Sequence, residues 1–396
     1  MRTYRELFRT PEFTPLFLTV SVQVAASTVS GLALGTAVYT ETGSPLLSAL
    51  AVFGPSLAQV LGAATLLSAA DRLPPRAALA GTALLFGVGT AALAIPGLSV
   101  WAVFAIAFGL GMTGALAGGV RYGLLNEILA KDGYLLGRSV LNMSVGAMQI
   151  CGFAVGGLLV AALSPHGTLL TAAALDLAAA AVARIGLSRR PPRAAGRASI
   201  AETWRTNARL WASPPRRYVY LALWVPNGLI VGCESLYISY APEHAGLLFA
   251  CAALGMLAGD TVTGRFMPQR WRERLGAPLR LLLAVPYLVF VVHPALPVAA
   301  AAVALASVGY SASLLLQERL MSLTPNELSG QALGLHSSGL LTMQGVGAAI
   351  AGAVAEQTSP SAAMAVMAAI SVAVTLCLAP RLRSGRRPRT EAFSPG

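Results

Sequence analysis

Long apolar runs alternate with short polar breaks along almost the whole chain. A bilayer core about 30 Å thick needs roughly 20 apolar residues per helix. Runs of that length fall at residues 13–38, 45–70, 77–95, 98–120, 138–163 and 167–187, and again at 218–240, 243–263, 278–293, 295–316, 331–355 and 360–380. Pro and Gly punctuate the tightest breaks, at Pro96-Gly97, at Ser164-Pro165-His166-Gly167 and from His293-Pro294 to Pro297. The first run follows a basic start, as in a signal peptide, but it extends to about Tyr39 and is too long for a cleaved segment. The pattern predicts an all-α integral membrane protein with twelve transmembrane helices.

The polar positions then set the orientation. All 28 Lys and Arg residues fall in the two termini, the central stretch and alternate breaks, or at the run ends beside them. The opposite breaks, such as Pro96-Gly97 and the segment around Pro242-Glu243-His244, carry none. Basic loops stay on the cytoplasmic side, so both termini and the central stretch are expected there. The same placement explains a net charge of +12 without a nucleic-acid partner. Composition agrees: 56% hydrophobic and 11% charged residues, with mean hydropathy +0.67, exclude a soluble enzyme or a disordered chain. Arginine far outnumbers the single lysine, Lys131, in an Ala-rich chain, which points to a GC-rich bacterium and its cytoplasmic membrane. Four cysteines lie in apolar runs without a CxxC pair and read as small core residues, so neither a metal site nor a disulfide framework is expected.

The halves repeat. Met148-Gln149-Ile150-Cys151-Gly152 with Gly157 is answered by Met343-Gln344-Gly345-Val346-Gly347 with Gly352. Leu125-Asn126-Glu127 is answered by Leu316-Gln317-Glu318, and the basic segment Arg72–Arg76 by Arg265–Arg270. Matching segments share a side of the membrane, so the repeat is parallel, six spans plus six, where an inverted repeat would put them on opposite faces. The expected organisation is a six-helix bundle over 1–187, a cytoplasmic linker over 188–217, a second bundle over 218–380 and a basic, disordered tail over 381–396. In the linker, Ser199-Ile200-Ala201-Glu202 has capping-box form, and Ile200, Trp204, Ala208 and Trp211 share one face of a short amphipathic helix.

With this layout, and with Asp71-Arg72-Leu73-Pro74-Pro75-Arg76 between the second and third spans, the chain resembles the major facilitator superfamily of secondary transporters. The resemblance implies alternating access by a monomer. It also implies that Asp71, Arg72 and Arg76 lock the cytoplasmic face, Asp71 on the amides opening helix 11 near Ser329–Gln331 and the arginines on Glu127 or Asp132. Gly152-Phe153-Ala154-Val155-Gly156-Gly157 resembles the end of an antiporter signature; the small residues Gly152, Gly156 and Gly157 equally serve close helix packing.

Ionisable groups inside spans are costly and become candidates for function. Glu234 shares a helical face with Tyr220 and Asn227, and by resemblance that helix borders the cavity, so Glu234 is a proton-coupling candidate. Asp176 is the second, although the resemblance puts its helix at the periphery. Gln23, Ser27, Ser30, His336 and Gln344 are candidate polar groups of the cavity wall. The resulting expectation is a proton-driven exporter, an antiporter of small apolar or amphiphilic compounds, with the solute and the lipid bilayer as partners and no cofactor beyond the proton gradient. The alternatives are an importer or uniporter on the same fold, or a non-transporting receptor or enzyme. Neither GxxxxGK[ST] nor HExxH occurs, which disfavours ATP-driven export and zinc proteolysis.

Overall fold

A computed structural model describes residues 4–70, 73–129, 131–191 and 200–384. Within them the secondary structure is helical throughout, as a lipid-facing chain requires: hydrocarbon offers no water to backbone N–H and C=O groups, and a helix pairs them internally. After the short α1 (Tyr4–Arg9) come α2 (Phe13–Thr42), α3 (Pro45–Ala70), α4 (Pro75–Leu93), α5 (Val100–Ile128) and α6 (Lys131–Gly186). Then follow α7 (Ile200–Ala212), α8 (Pro214–Ser235), α9 (Tyr237–Tyr240), α10 (Ala245–Thr261) and α11 (Gln269–Ala284). The last are α12 (Leu296–Val308), α13 (Ala312–Ser322), α14 (Ser329–Gln357) and α15 (Pro360–Ser384).

Eleven helices among the described residues are long and apolar enough to cross a membrane, against twelve expected. The difference lies in α6, 56 residues long and kinked at Ser164, whose φ of 68° and ψ of 166° are not helical. Elsewhere the breaks follow local chemistry. Gly43, at φ 64°, ends α2 by donating its N–H to the Tyr39 carbonyl, a conformation glycine adopts without a Cβ clash. The Ser99 hydroxyl caps α5 by accepting from the Ala102 N–H at 3.3 Å. Beyond Ala284, where Pro286 removes a backbone donor, α11 continues as a 3₁₀ turn over Val285–Val292.

In the N-terminal bundle α2 and α4 pack on α6, and α3 packs on α5. In the C-terminal bundle α8 packs on α14 and α15, and α10 on α12. Each bundle has apolar cores of its own: Phe13, Leu16, Leu79, Leu124 and Leu141 in the first, and Ile230, Tyr287, Phe290, Val303 and Met367 in the second. The bundles meet chiefly through α3 against α14 and α6 against α10. Glycine brings backbones together across this seam. A β-carbon added at Gly157 would lie 3.1 Å from Gly246 Cα, and one at Gly352 would lie 2.6 Å from Leu46 Cα. At the arginine-free end of the seam, the Ser44 hydroxyl donates to Glu356 Oε1.

At Gly152 and Gly156, α6 lies close against Thr28 and Val29 of α2. The cysteines depart from expectation. Cys233 is buried, but Cys151 and Cys377 are exposed.

Candidate solute-binding cavity

A cavity of about 490 Å³ opens inside the N-terminal helices and reaches the other bundle at Phe249 and Gln344. Pro55 helps make the room: it interrupts the interior of α3, and Gly111 of α5 approaches it so closely that an added β-carbon would sit 2.5 Å from the Pro55 carbonyl oxygen. Phe153 stacks on Phe249 at 4.7 Å between centroids and closes one wall with an aromatic pair shared by the two bundles.

Five of the expected residues meet at this cavity: Gln23, Ser27, Ser30, Asp176 and Gln344. The hydroxyls of Ser27 and Ser30 donate to carbonyls of their own helix, at 2.9 and 3.1 Å. The amides of Gln23 and Gln344 make no hydrogen bond to another described residue, and neither do those of Gln59 and Gln149, which line the same space. Asp176 stands on α6 and was expected at the periphery, but it faces the interior of the bundle at 2% exposure.

Arg121 also lines the cavity, and the sequence reading missed it by counting it among the loop charges. The helix does not stop at residue 120, however. α5 runs on to Ile128 and carries Arg121 well inside it. The uninterrupted stretch from Arg121 to Glu127, free of Pro and holding a single Gly, was the signal available for this.

Four candidates lie elsewhere. Glu234 sits near the end of α8 in the core of the C-terminal bundle, where Tyr310 donates to its Oε1 at 3.0 Å and the hydroxyls of Tyr237 and Tyr287 bond to each other nearby. It is absent from the lining of this cavity, contrary to the expectation for its helix, because α8 turns that face towards its own bundle. Tyr220 donates to the Ala332 carbonyl at 3.3 Å, and Asn227 is buried with its Oδ1 unpartnered among the described residues. His336 is buried, and the Trp224 indole N–H donates to its carbonyl at 3.1 Å and lies 3.3 Å from its Nδ1. Trp211 of α7 stacks on Trp224 at 5.5 Å, and Gln331 donates to Asn207 at 2.8 Å, so the amphipathic linker helix is seated on the C-terminal bundle.

Of the proposed lock, Asp71 and Arg72 lie outside the described residues. Arg76 forms no ion pair with a described residue, because Glu127 instead faces Arg190 at 3.6 Å. Arg190 also reaches Glu12 at 2.6 Å, and Ser188 donates to the same carboxylate at 2.7 Å. Partial burial alone would raise the Glu12 pKa, but these donors outweigh it and hold the carboxyl below its ordinary value. No group of three or more His, Cys, Asp or Glu that could hold a metal ion occurs among the described residues.

The Major Facilitator Superfamily profile matches residues 16–313, three quarters of the chain. The chain belongs to that superfamily: it is a multi-pass membrane transport protein. Solved structures share the fold at low identity. One is a POT family transporter in complex with 5-aminolevulinic acid, at 12% identity over 95% of this chain and 96% of that one, with a TM-score of 0.76. Another is the nucleoside transporter NupG, at 12% identity over 93% and 99%, with a TM-score of 0.72. A bacterial homologue of the human lysosomal transporter Spinster, inward-facing and unoccupied, matches at 14% over 98% and 100%, with a TM-score of 0.71. No curated protein matches. These likenesses correct the functional expectation. Those named are peptide, nucleoside and lysosomal-type transporters, not efflux antiporters, and the expectation of export is withdrawn.

Proposed function

We propose that this protein takes up a small organic solute across the bacterial cytoplasmic membrane by alternating access, as an importer or uniporter. The observation that carries the reading is the cavity itself, which draws its walls from both bundles while the glycine seam and the Ser44–Glu356 bond join those bundles at the arginine-free end. Positive-inside placement makes that end external, so the conformation is the one that would release solute inward. In this reading α6 crosses twice, since 56 residues at about 1.5 Å each far exceed one bilayer core. That gives twelve crossings with both termini cytoplasmic, as a parallel pair of bundles over 1–187 and 218–380, joined by 188–217 and followed by a basic tail.

Glu234 is the proposed site of proton coupling. It is a carboxylate in an apolar core with one phenol as partner, so a change in its protonation would be felt by α8 and by Tyr310. The test is uptake of a panel of small radiolabelled solutes into proteoliposomes, with and without an inward proton gradient, for wild type and Glu234→Gln. Gradient-driven accumulation that falls to simple equilibration in the variant identifies a proton symporter. Equilibration alone in both proteins identifies a uniporter. Accumulation only against the uptake direction would sink the proposal.

A further inference from the structure

Two ionisable side chains in the cavity have no ion partner among the described residues. Asp176 is nine-tenths buried and more, and its Oδ2 has no hydrogen-bond partner among the described residues. Arg121 meets the ring of its neighbour Tyr122, 5.6 Å from guanidinium carbon to centroid, and no carboxylate of a described residue. An arginine stays charged at any working pH, and in low dielectric a lone charge calls strongly for an opposite one. Among the described residues lining the cavity these are the only two ionisable side chains.

They do not meet each other, because they lie at different depths. Counted from Val100 and Pro165, where their helices start at the arginine-free end, Arg121 is 21 residues in and Asp176 is 11, an offset of roughly 15 Å along the bundle at about 1.5 Å per residue. Between and around them the polar groups are neutral: the unpaired amides of Gln23, Gln59, Gln149 and Gln344. The space thus has a cationic pole, a carboxyl that a bound cation would hold in its ionised form, and hydrogen-bonding walls.

We infer that the cavity recognises a zwitterion, with its carboxylate or other anionic group on Arg121 and its ammonium on Asp176, the two charges being several bonds apart. The inference rests on the uptake reading for its biological meaning, but its chemistry is tested by binding alone. The probes are ω-amino acids of increasing length, from 4-aminobutanoate through 6-aminohexanoate to 8-aminooctanoate, each set beside the alkanoate and the alkylamine of matched length. They are titrated calorimetrically into the full chain purified in detergent.

The wild type is expected to bind at least one member of the series about tenfold or more tightly than its matched alkanoate or amine, since each pole removed costs one charge pair. In Asp176→Asn the alkanoate should bind as well as the amino acid; in Arg121→Gln the amine should. A group that merely holds the fold together would weaken all ligands alike and produce no such reciprocal change. If either variant fails to give a monodisperse preparation, the wild-type ranking decides by itself. Wild type that melts cooperatively yet binds no member of the series overturns the inference. So do variants that keep the wild-type ranking, as they would if Arg121 and Asp176 served only each other in another conformation. Zwitterion binding without uptake would refute the transport direction and leave this site standing. Uptake of an uncharged solute with no zwitterion binding would do the reverse.

Discussion

Ser164 shows how one residue interrupts a helix of 56. Its φ of 68° with ψ of 166° is a region that only glycine enters at little cost, and for other residues it costs of order 1–3 kcal/mol. Little offsets that cost locally: its Oγ accepts one long bond, 3.5 Å, from Gly167 N. Ser164→Gly should therefore stabilise the protein by about 1 kcal/mol, seen as a higher midpoint in thermal unfolding in detergent with transport unchanged. A lower midpoint would mean that the hydroxyl matters more than the backbone. The sequence marked this break through Ser-Pro-His-Gly, since proline denies the next turn its donor. It marked Arg121 less well, because positive-inside counting treats every arginine as a loop charge and cannot see that a helix continues past the membrane boundary. Asp176 was legible as a costly intramembrane charge; the direction it faces depends on how α6 sits against α4, which no local pattern encodes.

Between elements, the clamp at the arginine-rich end of the N-terminal bundle joins three helices through one guanidinium. Arg190 follows α6 and holds Glu12 at the start of α2 and Glu127 near the end of α5. Glu12 itself adopts φ 69°, a positive value for a residue with a side chain, so this ion pair also secures a bent entry into α2. The folded pKa of Glu12 lies below its ordinary value of 4.5, with burial opposing the shift and Arg190 and Ser188 producing it. A depressed carboxylate pKa contributes stability that is fully present above the unfolded value and is lost as pH falls through the folded one. Glu12→Gln should thus lower stability by up to about 1 kcal/mol near neutrality, as a partly exposed ion pair permits. The gap between variant and wild-type melting curves should begin to close once pH drops below about 4.5 and should vanish below the folded pKa; a gap independent of pH would assign the effect to packing. Helix extents were readable from hydropathy to within a few residues at most ends. Helix partners were not: that α7 would rest Trp211 on Trp224 follows from the three-dimensional position of α8, although the amphipathic face that makes it possible was plain in the linker.

At the scale of the whole molecule, glycines bring the backbones of the two bundles together at the arginine-free end. An added β-carbon at Gly246 would meet Gly157 Cα at 2.7 Å and the Phe153 carbonyl oxygen at 2.9 Å, backbone atoms that cannot swing aside. Gly246→Val should disfavour this closed end while leaving each bundle's own core intact, and so shift the population towards the opposite conformation. With the native cysteines replaced by serine, a thiol-reactive probe should label Ser44→Cys faster in that background than without Gly246→Val; equal labelling would show that the seam yields elsewhere. The internal repeat predicted paired bundles because matched segments share a side of the membrane. It did not predict where they would press together, since glycine is equally apt for packing within a bundle and between bundles. The meeting of Gly157 and Gly246 acts in effect as a mechanical stop whose thickness is a single side chain. Adding one carbon at a time there would reset the resting angle between the bundles, and thus the bias of the cycle, without altering any group that touches the solute.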